Sequence, residues 1–300
     1  VIVSQTPGRR GFDIEMRLLR LRIPESSFDL EQLEPEGGVN ATRPRIAIER
    51  DGAQYDVEAL ERAFGSSASS GLDPSDFHTR VSTLRCAGLY DLDARLMRGE
   101  RPTSARVPPG EGCALAPIDA DRAMFVQVDV APGGEMRARI AQARTLLGDG
   151  AFVGVRSASG RAVCDVHLGA VLGDDLRSAT EHEARAAIMG YGVVVDWRGA
   201  QDAPRGLASA FGPGLVSPYV LPRRDTRVVR VGGREVGRID RLGVTIEAAI
   251  AFASQDLELR SGDLVSVGSL AEIEVPLHEA IDAEIDGIGV LRTTAVPPRR

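Results

Sequence analysis

The chain has 300 residues, 43% of them hydrophobic, 26% charged and only 4% aromatic, which is the make-up of an ordered globular protein with room for one large core or two modest ones. A formal net charge of -7 with no basic face removes the counterion-release attraction behind nucleic-acid binding, so no nucleic-acid partner is expected. All 36 basic residues are arginine, which excludes Schiff-base aldolases, pyridoxal-phosphate enzymes and Walker-type phosphate loops, since each needs an amine on a flexible stem.

Residues 1–15 contain no apolar stretch of signal-peptide length and read as a tail or leader. No later run approaches the ~18 apolar residues of a membrane span. The three cysteines, Cys86, Cys113 and Cys164, are odd in number and far apart, with no CxxC spacing. A cytoplasmic protein with no membrane partner is expected.

From Met16 the pattern is short strands and turns. "MRLLRLRI" reads as a strand, and in "RPRIAIERDGAQYDVEAL" a period-2 strand meets an Asp51-Gly52 turn and another strand begins, a hairpin. Residues 65–80 are small and polar, a loop by composition. The punctuated stretch "RGERPTSARVPPGEGCALAPID" closes a small β-rich N-terminal domain over residues 16–115 and opens a larger unit over 116–300.

The second unit begins with the apolar strand "AMFVQVDV", which delivers Asp129 to a turn, and "MRARIAQARTLLG" then reads as a helix stopped by Gly148. Thr180 with Glu183 three residues on forms a capping box before a short helix, which Gly190 and Gly192 are expected to end. A strand then carries Asp196 and Trp197. "SAFGPGLVSPYVLP" reads as a shaped loop, "RVVRVGGREVGRI" as a hairpin about Gly232-Gly233, and "IEAAIAFASQ" as an amphipathic helix, with strands to the end.

Within "RAVCDVHLGAVLG", Asp165 and His167 stand two apart and so project from one face of a strand. Two explanations are open: a metal or proton-transfer site, or a polar strand edge at which an acid and an imidazole carry no cost. Cys164 points to the opposite face. His78, His182 and His278 sit in polar or surface stretches.

Read in order from Tyr191, "GYGVVVDW", "FGPGLVSPYVLP", "RVVRVGGREVG", "LRSGDLVSVGS" and "AEIDGIGVLRTTAV" resemble five successive segments of the fumarylacetoacetate hydrolase superfamily. The resemblance implies an α+β, mostly β fold, with a mixed β-roll or β-sandwich C-terminal domain, and a homodimer. It places Asp165 and His167 on the positions of the family's two metal-binding glutamates and Asp196 on its metal-binding aspartate. Two carboxylates and an imidazole that converge are costly unless something positive lies between them. Such a set suits one divalent cation, magnesium, manganese or another transition ion, with a cation-free site as the alternative.

The departures from the family pattern are specific. Gly133 or a neighbour stands where the family has its water-activating histidine, and Ala210 stands before Phe211 where the family has lysine. Ala200 and Ala203 occupy the places of an arginine and a glutamine, although Arg198 and Gln201 lie close by. The family's Gly-Thr is Gly268-Ser269, and Glu272 is a new acid at the expected rim.

Three functions remain open. The first is an enzyme of enol chemistry on a small 2-oxo or 1,3-dicarbonyl substrate, by decarboxylation, hydration, isomerisation, cyclisation or C–C cleavage. Here His167, Glu272 and Ser269 are catalytic, Asp129, Trp197, Arg198, Gln201 and Phe211 bind substrate, and Asp165, His167 and Asp196 hold a metal. The second is a metal-independent enzyme of a specialised pathway with His167 as acid or base. The third is an inactive paralogue with a binding or assembly role.

Overall fold

In the computed structural model the described residues are 17–24, 42–66, 81, 88–110, 112–141, 146–200, 209–218 and 227–298. The apolar alternation of the first strands pairs β1 (Arg17–Pro24) antiparallel with β2 (Thr42–Arg50), and Asp51-Gly52 turns the chain into β3 (Ala53–Asp56). The strand that begins after the turn is four residues long. Asp56 accepts a hydrogen bond from the Ala59 amide at 2.8 Å and so caps helix α1 (Val57–Phe64), an N-cap that diverts the chain from the sheet. Helix α2 (Leu89–Met97) follows. Buried Arg50 on β2 meets buried Asp93 on α2 at 3.0 Å and ties helix to sheet. Burial lowers the Arg50 pKa and raises that of Asp93, each against the pull of its partner.

The remaining strands are β4 (Cys113–Leu115), β5 (Phe125–Val130), β6 (Met136–Ala141), β7 (Leu146–Leu147), β8 (Ala151–Gly154), β9 (Arg161–Leu172), β10 (Ile188–Gly199), β11 (Ser209–Val216), β12 (Val228–Val231), β13 (Arg234–Arg238), β14 (Leu264–Pro276), β15 (Ala280–Ile285) and β16 (Gly289–Val296). One large mixed sheet runs β3-β2-β1-β11-β10-β9-β14-β5-β6, with β4 on β1 and β7 on β11; a second runs β13-β12-β15-β16-β8. The N-terminal strands thus continue the sheet that holds β9 and β10. Helix α3 (Glu181–Ala187) has the expected capping box, and α4 (Ile246–Asp256) follows Thr245. No helix among the described residues is long and apolar enough to cross a membrane.

Three expectations are corrected. "MRARIA" is strand β6: Gly133 and Gly134, at φ 104° and 86°, fold residues 131–135 into a tight turn, and the strand pairs back along β5. Pairing overrides the helix preference of Ala, Arg and Met. "SAFGPGLV" is strand β11; a Cβ on Gly214 would lie 2.4 Å from the Leu18 carbonyl oxygen, so only glycine lets β1 come this close. Gly190 and Gly192 do not end a helix but lie within β10, where a Cβ on Gly192 would meet the Phe211 ring at 2.5 Å.

The large sheet is apolar on both faces. Trp197, Val195, Val193, Cys164, Val166 and Val126 pack toward the second sheet and α4. On the other face Val171, Val194, Phe211, Leu264 and Phe125 pack with residues of α1 and α2. The Arg50–Asp93 pair is enclosed on both sides, as is the Arg45–Asp56 pair at 3.4 Å. Replacing Asp93 by Ala should leave the guanidinium buried and uncompensated and lower stability by about 3–5 kcal/mol, read from urea unfolding. Arg50→Met with Asp93→Leu should recover most of that loss.

Candidate active site

On the face covered by α1 and α2 the apolar rows give way, one register step on, to polar ones. The transition is visible in the strands themselves: Phe125, Gln127 and Asp129 share a side of β5, Val171, His167 and Asp165 a side of β9, Val194, Asp196 and Arg198 a side of β10, and Leu264 and Ser266 a side of β14. Gln127 and Ser266 sit opposite one another across β5–β14, both fully enclosed, and the amide and hydroxyl have no hydrogen-bond partner among the described residues. A buried polar group left in that state costs ~1–3 kcal/mol.

Three acids lie abreast. Asp165 on β9 is directly opposite Asp196 on β10 and Glu272 on β14. Like charges so placed repel, and each is answered separately. Ser209 donates to Asp196 Oδ1 at 2.7 Å, and Arg198 reaches Glu272 at 2.6 Å. The Ser269 hydroxyl donates to Asp165 Oδ1, while Asp165 Oδ2 lies 3.4 Å from His167 Nε2.

The third contact depends on a two-residue irregularity in β14 between Val267 and Ala271. It leaves Ser269 exposed at the surface while its hydroxyl reaches down to the enclosed Asp165. Gly268 is pressed on the His167 ring: a Cβ there would lie 2.3 Å from Nδ1 and 2.6 Å from Cγ.

Arg139 on β6 completes the cluster. Its Nε lies 3.4 Å from Asp129 Oδ2 and its Nη2 3.5 Å from Asp196 Oδ2. Asp129 and Asp196 belong to β5 and β10, which β14 and β9 separate in the sheet. In a flat sheet three strand spacings open a gap of ~14 Å. The two aspartate side chains and the one guanidinium together span that gap.

The expected metal ligands are therefore not arranged as a ligand set. Among the described residues no group of three or more His, Cys, Asp or Glu side chains is placed to hold an ion. The physical reason is the presence of competing partners: Asp196 Oδ2 faces a guanidinium and its Oδ1 a hydroxyl, and Asp165 Oδ1 is engaged by Ser269.

Of the other expected residues, Asp129, Arg198, Glu272 and Ser269 come together with Asp165, His167 and Asp196 on this face. Trp197 does not: it points the opposite way into the inter-sheet core and donates from Nε1 to Thr293 Oγ1 at 3.0 Å. Phe211 is fully buried beside Gly169 and Gly192, in the row of Val194 and His167, and forms apolar packing at the edge of the cluster. Gln201 and Ala203 lie outside the described residues, as do His78 and Cys86. His182, on helix α3, and His278, in the turn after β14, are exposed. Burial, with Asp165 and Asp196 nearby, pushes the Cys164 thiol far above its usual range, so it is no nucleophile.

Sequence reasoning missed Arg139, Gln127, Ser266 and Ser209. The signal for Gln127 was the polar alternation in "VQVDV"; Arg139 shows the same period two once "MRARIA" is read as a strand. Replacing Gly268 by Ala should force the His167 ring out of place, lowering stability by about 1–3 kcal/mol in thermal unfolding and shifting the His167 imidazole NMR signals.

Among curated proteins none matches the chain by sequence. Among solved structures, maleylpyruvate hydrolase from Sphingobium sp. SYK-6 aligns with a TM-score of 0.66 at 18% identity, over 94% of this chain and 100% of that one. A second structure of that hydrolase is described as a complex with manganese(II) ion and pyruvate. The 2-hydroxyhepta-2,4-diene-1,7-dioate isomerase of Mycobacterium marinum aligns with a TM-score of 0.62 at 16% identity, over 95% and 100%. Fumarylacetoacetate hydrolase from the psychrophile Exiguobacterium antarcticum gives 0.61 at 17%, over 94% and 100%. These likenesses are of fold. The family model for the fumarylacetoacetate (FAA) hydrolase C-terminal region matches residues 134–296, more than half of the chain, and the chain belongs to that family.

Proposed function

We propose that the chain is an enzyme that moves a proton at the carbon beside a carbonyl in a small 2-oxo or 1,3-dicarbonyl compound. The observation that carries this reading is the enclosed Asp165 carboxylate, which accepts from the exposed Ser269 hydroxyl on one oxygen and has the enclosed His167 imidazole 3.4 Å from the other. Asp165 takes the proton as the C–H bond breaks, and the electron pair moves onto the carbonyl oxygen. His167 Nε2, 3.4 Å behind, shares the charge change. Arg139, part-exposed at the edge of the face, supplies N–H donors toward the enolate oxygen. Return of the proton to a different carbon yields the isomer.

Isomerisation is favoured over hydrolytic cleavage by the sequence itself. Gly133, where the resemblance puts a water-activating histidine, forms the β5–β6 turn. Pyruvate, named in the structure of the hydrolase similar in fold, is a 2-oxo acid, and that supports the substrate class. We further take the assembly to be a homodimer, on the family resemblance. A sedimentation mass that stays near 32.0 kDa at high concentration would count against it.

The reaction is tested with oxaloacetate and an acylpyruvate in deuterated buffer, following loss of the α-carbon proton signal by NMR. The wild-type protein should exchange it above the buffer rate, and Asp165→Asn should slow exchange by about 10²–10⁴-fold, the usual contribution of a general base. His167→Gln should slow it as well, by less. Wild-type rates in Asp165→Asn would sink the assignment of the base. No exchange with any enolisable compound would favour the binding role instead.

A further inference from the structure

We infer that Arg139 is a built-in cation in the position a shared divalent ion would need, so that the wild-type protein holds no such ion there and acquires one when the guanidinium is removed. The argument is one of place and charge. Asp129 and Asp196 stand on strands separated by β14 and β9, and an ion shared by the two carboxylates would have to lie between them. A guanidinium with contacts of 3.4 and 3.5 Å to the two is already there.

The alternatives were a cation from solution or a cation from the chain, and the two exclude each other. A divalent ion at bonding distance from Asp196 and Asp129 would sit against a positive group that cannot be deprotonated in a protein. The strand register holds Arg139 in place, since it pairs with Gln127 next to Asp129 and on the same face. The hydroxyl donors complete the substitution. Ser209 on Asp196 and Ser269 on Asp165 each fill an oxygen that an ion would otherwise claim.

The readout is metal occupancy, so the inference stands or falls apart from the reaction proposed above. Manganese(II) is titrated into wild-type protein, Arg139→Gln and the double variant Arg139→Gln/Asp196→Asn, with free ion followed by electron paramagnetic resonance and melting temperature measured with and without the ion. The wild type should bind no stoichiometric ion and show an unmoved melting temperature. Arg139→Gln should take up one ion per chain and melt higher in its presence, because a ligand of the native state alone stabilises it by mass action. The double variant should lose both effects. One ion per chain in the wild type, with a melting shift, would overturn the inference by showing that Arg139 yields its place. So would a folded Arg139→Gln that binds none. If Arg139→Gln proves unstable, Arg139→Met serves in its place, and the wild-type titration decides by itself whether guanidinium and ion exclude each other.

Discussion

Carboxylates crowd one face of the large sheet, and the arrangement of everything near them follows from that crowding. Asp196, Asp165 and Glu272 lie abreast on β10, β9 and β14, and Asp129 joins from β5. Repulsion between neighbours this close would splay the strands if nothing opposed it. Each acid has a counterpart from another element: a hydroxyl from β11 for Asp196, a guanidinium from β6 shared by Asp129 and Asp196, a guanidinium from β10 for Glu272, and a hydroxyl from the β14 irregularity for Asp165. The partners are short or planar, and β9, β10 and β14, which carry the three acids abreast, are fixed in register by apolar residues on the reverse side. The site is thus held by the inter-sheet core.

The N-terminal elements limit the site by covering the rest of the face. Phe211 lies over Gly169 and Gly192, where added Cβ atoms would come within 3.0 and 2.5 Å of its ring, and Val194, Val171 and Leu264 close the apolar region. Polar groups begin one step beyond. Gln127 and Ser266 lie just at that border, enclosed like the core around them yet equipped with donors and acceptors. A face that changes character over one register step brings low dielectric against charge, the setting in which interactions between charged groups are strongest.

Much of the fold was legible, because its signals are local. The Gly232-Gly233 hairpin, the Thr180 capping box, the α4 helix and the shared face of Asp165 and His167 each follow from a few adjacent residues. What was misread depended on partners distant in sequence. "MRARIA" has the composition of a helix and becomes a strand only because β5 is there to pair with it; "SAFGPGLV" has the composition of a loop and becomes a strand between β1 and β10. The first misreading hid Arg139, since on a helix its spacing from Asp129 means nothing. Trp197 was assigned to the pocket because it adjoins Asp196 in sequence, whereas in a strand adjacency means opposite faces.

That opposition has a further consequence for β10. Ile188 and Tyr191 both pack toward the second sheet although three residues apart, because β10 carries one extra residue against β9 between Ile188 and Gly190. The insertion changes the phase of the strand, so that odd positions from Tyr191 onward face the core and even ones the acids. Without it Trp197 would stand among the carboxylates and Asp196 and Arg198 in apolar packing. A single surplus residue, about 20 Å of extended chain from Asp196 at ~3.3 Å per residue, therefore decides on which side of the sheet this protein keeps its acids.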